Sequence, residues 1–318
     1  MRVGFIGLGN VGAKLAGSLL RNGVDLAVHD LDTDRAAEFG RRGAEVATSP
    51  IELARACDVA ITCLPSPDAC AAVVERPDGL VGGLGPGKVW VEMSTTDADE
   101  LRRLAKIVEA TGAEAIECPV SGGCHRAATG NIAILAGGRR ATFERVLPLL
   151  TSLGRRVMHV GDLGTASEIK VMTNYLATAH LVALTEALTT MKAAGHDLGV
   201  VHEAIAISSG NSFVAETEGQ VILNGSRDIE FTMDLVLKDV GLFQAMARRA
   251  GVPLEISPLL IDIFEDGQRR YGSRELSPNI IRRLEDATGL DVTAPGFPAL
   301  LADEEPEAEG YEVRPRGI

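Results

Sequence analysis

Met1-Arg-Val-Gly-Phe-Ile6 followed by Gly7-Leu8-Gly9-Asn10-Val11-Gly12 is a short apolar run leading directly into the spacing G-x-G-x-x-G. At a strand-to-helix turn each glycine has its own mechanical role. The first permits the tight turn, the second lets a pyrophosphate approach the backbone, and the third lets the helix pack on the strand. The pattern predicts a strand over Arg2–Ile6 and a helix over Ala13–Arg21, whose free N–H groups and positive dipole end would face the phosphates. A second strand, Val24–His29, ends in Asp30, which lies 18 residues beyond Gly12. That is near the spacing expected of a carboxylate that accepts hydrogen bonds from an adenosine ribose. A purely structural glycine-rich turn would show the same glycines, so the flanking strand, helix and acid carry the assignment.

Outward from this turn the chain divides into two halves. Further strands are expected at Asp58–Leu64, Lys88–Glu92, Glu114–Cys118, Asn131–Ala136 and Arg156–His159. Helical stretches lie between them, as in Asp99–Thr111, where Leu101, Leu104, Ile107 and Val108 recur at helical spacing. This alternation implies a Rossmann-type α/β domain, a doubly wound, mostly parallel sheet covered on both faces. After Gly164 no further strands are expected. Thr165–Ala194 reads as one long helix joining an all-α C-terminal domain, with helices at Gly199–Ser208, Ser212–Leu223, Thr232–Ala250 and Pro258–Glu265. The expected domains are residues 1–163, 164–290 and an irregular tail over 291–318. That tail carries four prolines and the acidic run Asp303-Glu-Glu-Pro-Glu-Ala-Glu309, which reads as solvated.

Composition narrows the class of function. A length of 318 residues, 46% hydrophobic and 24% charged, suits a two-domain globular protein. The net charge of −13 disfavours nucleic acid, whose phosphates require a basic surface. The apolar stretch over 175–191 includes His180 and Glu186, so no membrane span is expected. Five cysteines without a C-x-x-C pair suit reduced thiols rather than disulfides or a zinc site, and no metal is expected. The first strand leaves no signal-peptide pattern ahead of it, so a cytoplasmic protein is expected.

Two segments could carry chemistry. In Gly161-Asp-Leu-Gly164-Thr-Ala-Ser-Glu-Ile-Lys170-Val-Met-Thr-Asn174, Lys170 and Asn174 fall one helical turn apart on one face. Lys170 sits among Ile169, Val171 and Met172. Partial burial there would lower an amine's pKa toward the range of an acid–base catalyst, although most helical lysines are solvated charges. Pro119-Val-Ser121-Gly122-Gly123 follows a strand, and successive N–H groups in such a turn can bind a carboxylate with the Ser121 hydroxyl. A polar crossover loop would fit the same residues.

In order, Gly7–Gly12, Cys118-Pro-Val-Ser-Gly-Gly123 with Ala136-Gly-Gly138 behind it, and Gly161…Gly164…Lys170…Asn174 resemble the β-hydroxyacid dehydrogenase family. That family includes 3-hydroxyisobutyrate dehydrogenase and tartronate semialdehyde reductase and is related to 6-phosphogluconate dehydrogenase. The resemblance spans roughly residues 1–290. It implies oxidation of an alcohol at the β carbon of a small carboxylate with NAD or NADP, or the reverse reduction of a semialdehyde. Lys170 would be general acid and base, assisted by Asn174, and Ser121, Gly122 and Gly123 would hold the carboxylate. The segment ending at Leu64-Pro65 is similar to the family strand lining the cofactor, and Met93-Ser-Thr95-Thr to the segment beside the nicotinamide. Phe231-Thr-Met-Asp-Leu-Val-Leu-Lys238-Asp239 is similar to a helix that returns a lysine to the cleft, making Lys238 a cofactor or substrate contact; a helix-surface ion pair would look alike.

The chain departs from the family pattern in places. Glu117-Cys118-Pro119-Val120 replaces the common Asp-Ala-Pro-Val, with little consequence expected. Cys124-His125-Arg126 follows the Ser-Gly-Gly turn, and Arg126 either pairs with a second acid group on the substrate or points to solvent. Thr173 replaces the histidine of 6-phosphogluconate enzymes, which argues against sugar-phosphate decarboxylation. Asp30 would repel the 2′-phosphate of NADP, so NAD is expected, with Arg35 as a compensating charge nearby. The alternatives are an imine or other carbonyl reductase of this architecture, against which Lys170 counts, and a non-catalytic NAD-binding protein. Family relatives form dimers or tetramers, so a homodimer or homotetramer is expected, the long helix suiting a twofold interface.

Overall fold

The protein is described here from a computed structural model covering residues 1–315. It divides into two units: Met1–Lys170 with the described residues from Asp303 onward, and Val171–Ala302.

The first unit is a single sheet. Its strands are β1 (Val3–Ile6), β2 (Leu26–His29), β3 (Glu45–Val46), β4 (Val59–Thr62), β5 (Val89–Glu92), β6 (Glu114–Glu117), β7 (Val120–Ser121), β8 (Ala133–Gly137), β9 (Arg156–Gly161) and β10 (Tyr311–Glu312). They run in the order β10-β9-β8-β6-β5-β4-β1-β2-β3, with β7 paired to β8. From β3 to β6 every pairing is parallel; β8 is antiparallel to β6 and β7. The expected Rossmann-type, mostly parallel sheet is therefore present. Alternate strand residues feed two cores, one on each face of the sheet. Val3, Phe5, Ile61 and Val91 join the first, while Ile6, Ala60 and Trp90 join the second, as a period of two requires.

The helices of this unit are α1 (Asn10–Arg21), α2 (Thr33–Arg41), α3 (Pro50–Ala56), α4 (Pro67–Glu75), α5 (Ala98–Glu109), α6 (Gly123–Thr129), α7 (Arg140–Leu150) and the first turn of α8 (Thr165–Ala193). Several starts are written locally. Asp32, Ser49, Ser66 and Asp97 cap α2 to α5 with their side chains, and Pro50 and Pro67 stand at first-turn positions, where proline's missing N–H costs nothing.

The second unit holds the rest of α8 and α9 (Leu198–Ala206), α10 (Phe213–Glu216), α11 (Glu218–Asn224), α12 (Met233–Arg249), α13 (Ile256–Tyr271) and α14 (Arg282–Thr288). Leu184, Leu188, Ile222, Val240, Phe264 and Ile281 form its core. The single helix expected over Ser212–Leu223 is two, because Thr217 at φ −106° and ψ −73° breaks the ladder and begins α11.

Three expectations about the tail need correction. It is not a domain over 291–318, strands do not end at Gly164, and its acidic run is not merely solvated. Residues up to Ala302 belong to the helical unit, where Ala294 N donates to Leu223 O at 2.8 Å and Phe297 stacks edge-on to His202. From Asp303 the chain joins the sheet unit, and β10 adds a parallel strand to β9. The physical reason is strand pairing that sequence spacing hides, Tyr311 N and Val313 N donating to Arg155 O and Val157 O, with exposed ion pairs alongside. Arg21 meets Glu307, Arg140 meets Glu312, and Arg155 meets Glu305. Residues 316–318 of the expected tail lie outside the described residues. The domain boundary expected at 163/164 also moves to Lys170/Val171, because the first turn of α8 is hydrogen-bonded into the sheet unit.

Among the described residues no helix is long and apolar enough to cross a membrane. One buried group in the helical unit carries a stability prediction. Glu218 Oε2 is sealed from water with no hydrogen-bond partner among the described residues, and burial pushes the carboxyl up to about 8. A folded pKa raised above the unfolded one gives stability that is present below about pH 4.5 and lost as pH rises through about 8. Glu218→Gln is therefore expected to unfold within a degree or two of the parent at pH 5 but several degrees above it at pH 9. Thermal unfolding at the two pH values checks this; a gain that does not depend on pH would refute it.

Candidate active site

The glycine turn sits where the strand order reverses between β1 and β4, the crevice in which open α/β sheets bind ligands. Gly7 adopts φ +98°, and a Cβ there would lie 2.3 Å from the carbonyl oxygen of Cys63 beyond β4. A Cβ at Gly12 would meet Gly7 O at 2.0 Å, so α1 packs directly on the turn. Gly9 is different: only Arg35 Nη1, at 4.0 Å, comes near its Cβ position. Gly9 also starts α1 without a side-chain cap, the helix beginning at Asn10 rather than at the expected Ala13. Backbone donors at a helix start with space in front of them fit a pyrophosphate.

Asp30, at the end of β2, is bound to this turn. Its Oδ2 accepts from Leu8 N at 2.5 Å and its Oδ1 from Asp32 N at 2.8 Å. Arg35 donates to Leu8 O at 3.2 Å and pairs with Asp32 at 3.1 Å. Leu64 touches the turn as well, Cδ2 lying 3.0 Å from a Cβ at Gly7. Pro65 is exposed and Thr95 half-buried in the loops that follow β4 and β5. A buried network ties those loops together. Leu64 N donates to Ser94 Oγ at 2.7 Å, Ser94 N to Glu92 Oε1 at 2.7 Å, and Thr62 Oγ1 to Glu92 Oε2 at 2.7 Å. Burial raises the Glu92 carboxyl above its ordinary value, partly offset by these hydrogen bonds.

The Ser-Gly-Gly segment is not the simple loop that sequence suggests. Val120 and Ser121 form β7 antiparallel to Ile134 and Ala133, and the reversal comes at Gly122 (φ +130°) and Gly123 (φ +85°). The Arg126 stem lies over Gly122, its Cδ 3.3 Å from a Cβ there. A side chain at Gly122 would displace it.

Lys170 is only 7% exposed, against the partial burial expected. The start of its helix is held by a group that sequence reasoning passed over. Glu117, fully buried at the end of β6, accepts from Gly164 N at 2.6 Å, Ala166 N at 2.9 Å, Ser167 N at 3.0 Å and from the Ser167 hydroxyl. Asn174, one turn beyond Lys170, falls in the helical unit. There its amide donates to Asp239 Oδ2 at 2.6 Å, and Lys238 pairs with Asp239 Oδ1 at 2.9 Å. Asp239, buried at 2% exposure, thus joins Asn174 to Lys238 and is a second group that was missed. The signal for Glu117 and Glu92 was a glutamate closing an apolar strand that the sheet must bury; for Asp239 there was only its position beside Lys238.

The structure therefore brings Gly7, Leu8, Asp30 and Leu64 together around one turn, and places Lys170 on a helix bonded to the strand that leads to Ser121. Asn174 and Lys238 both meet Asp239 within the other unit. Among the described residues no cluster of metal-ligating side chains occurs.

A glycine turn at the switch point of a Rossmann-type sheet defines a dinucleotide-binding fold. Known proteins narrow this class. The family model for the NAD binding domain of 6-phosphogluconate dehydrogenase matches residues 2–161, and that described as NAD-binding of NADP-dependent 3-hydroxyisobutyrate dehydrogenase matches residues 164–284. The chain is 32% identical over 294 residues to 2-(hydroxymethyl)glutarate dehydrogenase of Eubacterium barkeri, covering 92% of this chain and 98% of that one. It is 32% identical to mitochondrial 3-hydroxyisobutyrate dehydrogenase of Mus musculus, over 82% of this chain and 80% of that one. The crystal structure of 3-hydroxyisobutyrate dehydrogenase from Salmonella typhimurium superimposes with a TM-score of 0.82 at 27% identity, covering 89% of this chain and 99% of that chain. The chain belongs to the β-hydroxyacid dehydrogenase family, NAD(P)-binding oxidoreductases related to 6-phosphogluconate dehydrogenase.

Proposed function

We propose that this chain is an NAD-dependent dehydrogenase of a small 3-hydroxycarboxylate, working equally as a reductase of the matching semialdehyde. The observation that carries the proposal is Lys170, a buried amine on a helix tied to the strand that leads to the Ser121–Gly123 reversal. Gly7, Leu8, Gly9, Asn10, Val11 and Gly12 would hold the pyrophosphate and Asp30 the ribose, Leu64 and Pro65 would line the cofactor, and Thr95 would lie on the nicotinamide side. The nicotinamide, when bound, accepts or returns the hydride. Ser121 with the Gly122 and Gly123 amides would anchor the carboxylate, and Arg126 a second acid group. Anchoring one end of the substrate aligns its carbinol, and alignment of this kind is worth on the order of 7–11 kcal/mol. Lys170 would take the hydroxyl proton in oxidation and return it in reduction. Asn174 would orient the hydroxyl, with Lys238 as a further contact. Assembly into a homodimer or homotetramer is part of the proposal.

The test is formation of reduced coenzyme across a panel of 3-hydroxyacids, with semialdehydes and cyclic imines assayed in reverse. Turnover of a hydroxyacid and its semialdehyde is expected. Turnover of imines alone, or of nothing, would refute the proposal.

Coenzyme choice rests on charge. Asp30, Asp32 and Asp34 crowd the end of β2, against the single Arg35 already paired with Asp32. A 2′-phosphate there meets net repulsion. Asp30→Ala is expected to move the ratio of kcat/KM values for NAD and NADP toward NADP by about 10–100-fold, or about 1.4–2.8 kcal/mol. An unchanged ratio would show that Asp30 does not discriminate.

A further inference from the structure

We propose that Glu117 is the positioning residue for Lys170: by receiving the first turn of α8 on its carboxylate, it fixes how far along and at what rotation the amine enters the site. The proposal rests on the reading of Lys170 as the acid–base group. Among the described residues, four donor groups meet Glu117, namely the N–H groups of Gly164, Ala166 and Ser167 and the Ser167 hydroxyl, and they use both oxygens. An unpaired buried carboxylate would be costly, so this convergence is a built socket. It is also a tight one. A Cβ at Gly137 on β8 would lie 2.4 Å from Glu117 Oε1, so the carboxylate fills the space that this glycine leaves.

The geometry gives Glu117 leverage on the chemistry. Lys170 follows Ser167 by three residues, roughly 4.5 Å of helix rise, so a pinned first turn leaves it little freedom. A slip of one residue would turn the amine by about 100°, and displacement by about 1 Å can cost about 100-fold in rate. Four residues after Glu117 comes Ser121, on the other side of Pro119. One strand end thus carries the proposed carboxylate anchor and, through Glu117, holds the helix bearing the amine.

The test compares Glu117→Gln, Glu117→Asp and Lys170→Met, with kcat normalised to the fraction of protein that binds reduced coenzyme. In Glu117→Gln the amide NH2 confronts N–H donors at one of the two oxygen positions. It is expected to lower kcat at least tenfold, with KM for coenzyme and substrate within about twofold of the parent. Glu117→Asp, still all-acceptor but shorter, is expected to recover part of that loss. A purely structural role would lower the folded fraction and leave normalised kcat alone. A fall of less than tenfold in Glu117→Gln, a matching loss of coenzyme affinity, or an aspartate no better than glutamine overturns the proposal. If Glu117→Gln does not fold, Ser167→Ala decides: removing one donor should lower kcat threefold or more at unchanged KM, and a smaller effect overturns the proposal. Activity surviving in Lys170→Met would instead defeat the reading on which this one rests, so the two failures are distinguishable.

Discussion

Lys170→Met is expected to lower kcat by about 10²–10⁴-fold, the range that a positioned proton-transfer group contributes, while the affinity for reduced coenzyme stays within about threefold. Methionine nearly matches the lysine stem in volume and lacks only the amine. Lys170 is 7% exposed, and removing only the amine keeps the packing of the stem while leaving any partner of the amine unpaired, a cost of about 1–3 kcal/mol. The unfolding temperature is therefore expected to fall by no more than a few degrees, which separates lost chemistry from lost structure. Lys170→Arg is expected to be equally poor in the oxidation direction, because a guanidinium does not give up its proton to serve as a base. Steady-state rates, coenzyme titration and thermal unfolding on the same samples check all three. A methionine variant with kcat within tenfold of the parent would remove Lys170 from the mechanism.

What could be read from the sequence was local. The glycine turn and the four-residue apolar strands β1, β4 and β5 announce themselves because each is buried throughout and bounded by turn residues. The long helix was placed to within a residue at its C-terminal end because apolar residues continue through it without glycine or proline. The Ser49-Pro50 and Ser66-Pro67 starts of α3 and α4 are also written in the chain as cap signals. Strands of two residues, β3, β7 and β10, carry no period to detect.

The site was legible only in part, for the same reason. Glycines, Asp30 and Lys170 have local spacing. The groups that hold them in place act across long separations: Glu117 reaches residues 47 to 50 positions away, and Asn174 meets Asp239 65 positions away. A glutamate at a strand end looks the same in sequence whether it meets water or caps a buried helix. Only the fold supplies its partners.

Deleting the chain from Asp303 onward is expected to lower the unfolding temperature of the sheet unit by about 10 °C or more and to promote self-association, because it opens the edge of β9. The family model matches no further than residue 284. The acidic composition of this segment suggests that charge holds it, but magnitudes argue otherwise. The ion pairs Arg21–Glu307 and Arg155–Glu305 are partly exposed and worth at most about 1 kcal/mol each. Three backbone bonds run along β9 and its approach: Gly310 N to Thr151 O at 3.0 Å, Tyr311 N to Arg155 O at 3.0 Å and Val313 N to Val157 O at 2.7 Å. Asp303 accepts from the Thr129 hydroxyl and from Asn131, whose amide is buried at 1% exposure. Burial alone would raise the Asp303 carboxyl, yet these hydrogen bonds hold it below its ordinary value. Asp303→Ala leaves one N–H of the Asn131 amide without its acceptor, while the amide keeps Glu305 O at 2.6 Å and the Thr129 hydroxyl keeps Arg126 O at 3.2 Å, and should cost about 1–3 kcal/mol. Gly310 fits with no side chain at all, a Cβ there lying 2.0 Å from Gly154 O, so Gly310→Ala must push the strand off its edge. The expected order of damage is truncation, then Gly310→Ala and Asp303→Ala, with Glu305→Lys and Glu307→Lys least, and with little sensitivity to salt. If reversing those two glutamates, or raising the salt, destabilises the protein as much as truncation does, charge rather than strand pairing holds the segment and the argument fails.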